Sequence, residues 1–140
     1  AQGPEHVGTD KIFRVAPDRK VSVALASDSL GRPNGITFDR ATQRYIVVPF
    51  GAGKIFSWTP GSDPTTLATG PGQFDGVEVA GNAIWVSSWA DSSVYRYAGG
   101  QGTNVIKGVQ SPADIGYDAK RHRVLIPVFL GNAVEIWQVQ

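Results

Sequence analysis

Residues 33–58, PNGITFDRATQRYIVVPFGAGKIFSW, return without a gap at residues 112–137 as PADIGYDAKRHRVLIPVFLGNAVEIW. Pro33 and Pro112, Ile36 and Ile115, Asp39 and Asp118, Arg44 and Arg123, Phe50 and Phe129, and Trp58 and Trp137 coincide at an offset of 79. A third copy lies midway, FDGVEVAGNAIWVSSWADSSVYRY at 74–97, and matches the first if its Val-Ala-Gly-Asn turn is two residues shorter. The period is therefore about 40 residues. A fourth, partial copy opens the chain, where KIFRV at 11–15 matches KIFSW at 54–58, SVYRY at 93–97 and AVEIW at 133–137.

Each full copy reads as short runs of β-branched and aromatic residues between Gly, Pro, Asn and Asp clusters. In the first copy the runs are GITFD (35–39), YIVVP (45–49), KIFSW (54–58) and TTLA (65–68). Four strands in about 40 residues describe one blade of a β-propeller. An immunoglobulin-type sandwich also uses short strands, but it does not repeat one motif three times at this period. The expected fold is all-β, with about three blades of four antiparallel strands. The bounds are a partial blade at 11–25 and blades at about 33–68, 74–107 and 112–139, so that residues 1–140 make one partial propeller domain. Apolar runs such as Ile46-Val47-Val48 suit central strands covered on both faces. Trp58, Tyr97 and Trp137 recur in third strands and are expected in the core.

With 17 Gly and 9 Pro the chain is punctuated too often for long helices. Thirteen basic and twelve acidic residues are scattered without a run or a basic stripe, so nucleic acid is not an expected partner. No apolar stretch approaches the roughly 18 residues of a membrane span. The absence of Cys excludes disulfides, thiol nucleophiles and thiolate metal sites. The absence of Met leads us to expect that Ala1 is not a translation start. An Ala-Gln terminus suits signal cleavage, and a periplasmic or secreted location is favoured.

Propellers close into rings of roughly four to eight blades. Three blades alone would leave two apolar faces bare, beyond the few hundred Å² that monomers usually expose. A second chain, or a second copy of this one, is expected to complete the ring. The last blade lacks its outermost strand, which a ring can take from the other end of its chain, so Val139-Gln140 reads as a native C-terminus.

GRPNGITFD at 31–39 and FDGVEVA at 74–80, each followed by a strand ending in VVPF or VSSWAD, resemble the gluconolactonase and senescence marker protein (regucalcin) family of six-bladed propellers. The resemblance covers about 11–139 and corresponds to the C-terminal half of that fold. It implies a divalent cation, calcium or zinc, at the mouth of the central channel. Its carried-over ligands are Asn34 and Asp75, with Asp75 also the general base of lactone hydrolysis. The family's Glu ligand falls outside these blades, which leaves the site incomplete. Independently of the resemblance, Asn34 and Asp75 occupy one slot in adjacent repeats, where two oxygens of the kind hard cations prefer would converge. Gly35 and Gly76 follow them and are expected to clear room for a ligand. The competing reading is that Asn-Gly and Asp-Gly are simply turn dipeptides.

The blade at 112–139 departs from the pattern, with Ala113 in the slot and Asp114 one residue later. Arg32, Phe50, Gln73, Trp89 and Asp114 are candidate substrate contacts, and Asp91, Phe129 and Asn132 lie in turns near the same mouth. Phe50 and Trp89 could equally be packing. His122 belongs to a turn on the opposite face and His6 to the N-terminal segment, so neither supports a nucleophilic serine at Ser87 or Ser88. The resemblance implies a metal-dependent lactone or ester hydrolase acting on a small lactone or sugar-like ligand. The alternative is a non-catalytic extracytoplasmic propeller that binds a ligand or serves as a scaffold.

Overall fold

The computed structural model describes residues 8–140; His6 lies outside them. Thirteen strands follow one another: β1 (Asp10–Val15), β2 (Val21–Ser27), β3 (Pro33–Asp39), β4 (Arg44–Pro49), β5 (Lys54–Trp58), β6 (Thr65–Thr69), β7 (Phe74–Ala80), β8 (Ala83–Ser88), β9 (Ser93–Ala98), β10 (Gln101–Lys107), β11 (Gly116–Asp118), β12 (Arg123–Val128) and β13 (Ala133–Gln138). They pair antiparallel into four sheets, β1-β2, β3-β4-β5-β6, β7-β8-β9-β10 and β11-β12-β13.

The repeat survives in backbone conformation. Arg32, Gln73 and Ser111, each leading toward a sheet's first strand, have φ of 60, 46 and 45°. Gln43, Gly81 and His122, in the turns between first and second strands, have φ of 56, 61 and 51°. Left-handed residues at matching points give each sheet the same chain reversals. The last sheet is the least regular: β11 is three residues long, and Pro112 joins β12 by an isolated bridge to Val128.

The core lies between sheets, not within one. Successive side chains of a strand point to opposite faces, so a central strand feeds two interfaces. Ile46 and Val48 of β4 join Ala68, Phe74, Val77, Val86 and Tyr97. Val47, on the other face of β4, packs with Leu30 and Phe56 toward β1 and β2. Trp85, Ile106, Val124 and Ile126 fill the interface of the last two sheets. This explains the continuous apolar run in β4.

The first strands β3, β7 and β11 touch in succession. They approach so closely that a Cβ on Gly35 would strike the Asp75 backbone oxygen and the Val48 side chain, and one on Gly76 would meet the Ile115 nitrogen and the Asp114 Cα. This corrects the expectation that the two glycines clear space for a ligand: they clear space for the neighbouring sheet. Asp114 occupies the glycine position in the copy at 112–137, where among the described residues no further sheet packs.

Both ends of the array expose apolar residues. At one end Phe13, Val15, Val21, Val23, Ile36 and Phe38 are exposed, and at the other Val134, Ile136 and Trp137. Trp58 and Tyr97 are buried as expected, each 3 % exposed, but Trp137 is 38 % exposed. The difference is positional, because β13 is the outer strand of its sheet and has neither a fourth strand nor a following sheet beside it.

Gly76→Ala should destabilise the fold by about 3 kcal/mol, the upper end of the range for overpacking, because backbone atoms stand in the way. Gly116→Ala, whose Cβ meets nothing within 4 Å, should shift stability by less than about 1 kcal/mol. Urea denaturation of both variants checks this, and equal stabilities would contradict the account of the close approach.

Candidate functional site

Register shifts interrupt the pairing of β3 with β4 between Pro33 and Gly35, and of β7 with β8 between Phe74 and Val77. Such bulges add residues to one strand and re-aim its side chains. Asn34 and Asp75 therefore sit inside the first residues of β3 and β7, and not just ahead of those strands. Asn34 Nδ2 donates to the Phe74 oxygen of the next sheet at 3.3 Å, and the amide also favours the ionised form of Asp75. With the nitrogen so engaged, Oδ1 is the acceptor left to Asn34.

Asp75 is half-buried, and burial pushes its pKa up; repulsion from Asp114 adds to the rise, while the Trp89 indole and the Asn34 amide oppose it. Trp89 Nε1 is buried without a hydrogen bond of ordinary geometry, although it is close enough to Asp75 to favour the carboxylate. It is thus a donor held at the site with its bond unmade. Glu78, further along β7, is a residue that the sequence reading missed. Its pKa is also raised, by burial first and then by Asp114. The repeat alignment carries the signal that could have found it, since Thr37 and Gly116 stand at the corresponding positions.

Phe50, Trp89 and Phe129 follow the second strands of three successive sheets. Their backbone nitrogens donate to the oxygens of Arg32, Gln73 and Ser111 at 2.9, 3.0 and 3.0 Å. The rings form an arc, with Phe50 and Trp89 edge to face at 5.8 Å and Trp89 and Phe129 tilted at 5.6 Å. The Arg32 guanidinium lies 5.9 Å from the Phe50 centroid, within reach of a cation–π attraction. Asp91 accepts from the Tyr95 hydroxyl, and Asn132 takes a left-handed turn position.

Ser87 and Ser88 are fully buried and tie the backbone together. Ser87 Oγ accepts from Gly76 N and donates to Ala113 O, both at 2.8 Å, so that it braces two sheets. Ser88 Oγ donates to Gly72 O at 2.8 Å. His122 lies in the turn between β11 and β12. The hydroxyls are structural braces with no base beside them.

Among the described residues no group of three or more His, Cys, Asp or Glu side chains is arranged to hold a metal. Asn34 and Asp75 bring an amide and a carboxylate together, and their side-chain oxygens are of the kind a hard cation takes when it draws its remaining ligands elsewhere.

No family model matches the chain, and neither does any curated protein. Solved structures do match. A chain of a nidogen/laminin complex is 17% identical with a TM-score of 0.73 over 91% of this chain and 58% of its own. Regucalcin from Agrobacterium tumefaciens, described as a calcium-binding protein, is 20% identical with a TM-score of 0.69 over 83% of this chain and 43% of its own. A gluconolactonase from Xanthomonas campestris is 23% identical with a TM-score of 0.64 over 89% of this chain and 43% of its own. The fold is a β-propeller. The chain spans about half the length of these propellers, in line with the expected fold class and the resemblance to gluconolactonase and regucalcin folds. In a closed propeller the blades surround a central channel, and β3, β7 and β11, which carry or adjoin Asn34, Asp75 and Asp114, are the strands that touch in succession from blade to blade.

A carboxyl whose pKa is raised on folding holds a proton that the unfolded chain has already released. Its contribution is therefore favourable at low pH and is lost as pH rises from the ordinary carboxylate range through the raised value. Asp75→Asn should raise the Tm at pH 7, and the gain should disappear at pH values below the ordinary carboxylate range. Thermal melts across pH test this, and a lower Tm at pH 7 would show that its neighbours over-compensate burial.

Proposed function

We propose that this chain is part of a divalent-cation-dependent lactone or ester hydrolase whose site is at the channel mouth and whose activity requires the complete ring. The observation that carries the reading is the half-buried Asp75 carboxyl of raised pKa with the Asn34 amide beside it. The gluconolactonase and regucalcin structures among the propellers of like fold support it. Asn34 and Asp75 would hold calcium or zinc, with further oxygen ligands from the chain, a second copy or another, that completes the ring. The bound cation supplies positive charge that polarises a carbonyl and makes water more acidic.

The residues of this chain then have distinct tasks. Asp75 accepts a proton from the attacking water, and its raised pKa brings it nearer the pH at which a base works well. Water oxygen bonds to the carbonyl carbon, the ring C–O bond breaks, and the leaving oxygen recovers the proton, giving the hydroxy acid. The Trp89 N–H, close enough to favour the carboxylate, would orient Asp75 once their hydrogen bond closes. Phe50 and Phe129 offer ring faces to a lactone or sugar-like substrate, and Arg32 and Asp114 set the charge around it.

A second reading, a non-catalytic ligand-binding or scaffold propeller, is favoured by Ala113, which places no donor in the third blade's slot. Calorimetric titration with calcium and zinc, paired with a δ-gluconolactone hydrolysis assay on the assembled ring, separates the two. Asp75→Asn should weaken cation binding and reduce hydrolysis by about 10²-fold or more, as for loss of a general base. Asn34→Ala should weaken cation binding, with most of the rate restored at saturating cation. Wild-type protein that binds neither cation would overturn the metal site, and bound cation without turnover would support the second reading.

A further inference from the structure

A cleft of about 470 Å³ opens between the β3–β6 and β7–β10 blades, bordered by the turns between their first and second strands. Comparing the two blade interfaces position by position shows why it is there. Between the second and third blades, Trp85 of β8 stacks on Tyr117 of β11 with ring centroids 5.5 Å apart. Ile106 of β10, paired with Val94 of β9, is 2 % exposed in the same core. Between the first and second blades the corresponding residues are Ile46 of β4, Val79 of β7 and Ala68 of β6, the last paired with Ile55 as Ile106 is with Val94. All three line the cleft. An aromatic pair and an isoleucine have become an isoleucine, a valine and an alanine, and the cleft lies over this smaller filling, with Ile46 2 % and Ala68 8 % exposed.

Charge at the cleft is also specific. Its charged lining residues are Asp39 and Arg44. Asp39 is occupied, accepting from Ala41 N and Thr42 Oγ1 at 2.9 and 2.6 Å. Arg44 Nη1 donates to Ser57 Oγ at 3.2 Å, and among the described residues no carboxylate forms an ion pair with it. The second blade has Ala83 at the equivalent position. The cleft therefore combines an apolar, ring-sized space with a planar cation that has hydrogen-bonding capacity to spare.

We propose that this cleft binds an aromatic carboxylate, its ring system lying where the next interface holds Trp85 and Tyr117 and its carboxylate meeting Arg44. A cavity of this volume is within the usual range for small-molecule sites, and a guanidinium matches a carboxylate in bidentate geometry. The site is separate from the channel mouth and does not depend on the hydrolase reading.

The test is calorimetric titration of the full chain, in whatever assembly it forms, with 2-naphthoate. Wild type should bind it saturably with one site per chain, and 2-naphthalenemethanol, which lacks the charge, at least tenfold more weakly. Arg44→Gln should weaken 2-naphthoate binding at least tenfold. Val79→Tyr and Ala68→Ile rebuild the filling of the neighbouring interface and should each abolish binding without lowering the Tm. The exposed apolar ends of the array are untouched by these two variants, so binding that persists in both would place the probe there and overturn the proposal. Absence of saturable binding to wild type at millimolar probe would also overturn it. If Ala68→Ile does not fold, Val79→Tyr decides alone. Arg44→Gln binding as tightly as wild type would remove the carboxylate from the ligand class and overturn the proposal in that form.

Discussion

The close approach of the first strands governs the architecture. Gly35 and Gly76 let one blade's backbone lie against the next, with the Asp75 oxygen and the Ile115 nitrogen where a Cβ would otherwise be. That contact sets the blade spacing and determines where the apolar faces of β4, β8 and β12 meet their neighbours. It also brings Asn34 within 3.3 Å of the Phe74 oxygen, so the geometry that packs the blades assembles the candidate site. Ser87 reinforces the same junction through Gly76 and Ala113.

Much of this fold is legible in the sequence because repeats expose their own boundaries. The 79-residue offset aligns Pro33 with Pro112 and Trp58 with Trp137, and the strands follow from the Gly, Pro, Asn and Asp punctuation between the aligned runs. What a repeat alignment does not carry is how one copy meets another. The glycines after Asn34 and Asp75 read as room for a ligand because the approach of the adjacent backbone has no local signature. Trp137 matches Trp58 residue for residue, yet it is exposed because burial at that position comes from a neighbouring strand and blade. Glu78 stands out in the alignment against Thr37 and Gly116, but its raised pKa does not, since that arises from burial in β7 and from Asp114 on another blade.

The candidate site shows a tension common where chemistry and stability compete. Asp75 is half-buried, faces Asp114 and keeps a raised pKa, all of which cost stability in its charged form. Hydrogen bonding from Asn34 and the proximity of Trp89 offset that only in part. A residue serving merely as a turn former has no need of this environment, because an exposed Asp or Asn makes the same turn. The aromatic arc serves two ends at once: Phe50, Trp89 and Phe129 pack on one another across blades, and Trp89 lies against the Asp75 carboxylate.

The apolar ends carry the largest consequence. Phe13, Val15, Val21, Ile36 and Phe38 at one end, and Val134, Ile136 and Trp137 at the other, are the residue types that fill the interfaces within the array. Blade faces of this kind are expected to be covered in a closed ring. Light scattering on the purified 14.9 kDa chain measures this directly. The account predicts a defined complex of at least twice that mass, whereas a stable, non-aggregating monomer of 14.9 kDa would contradict it.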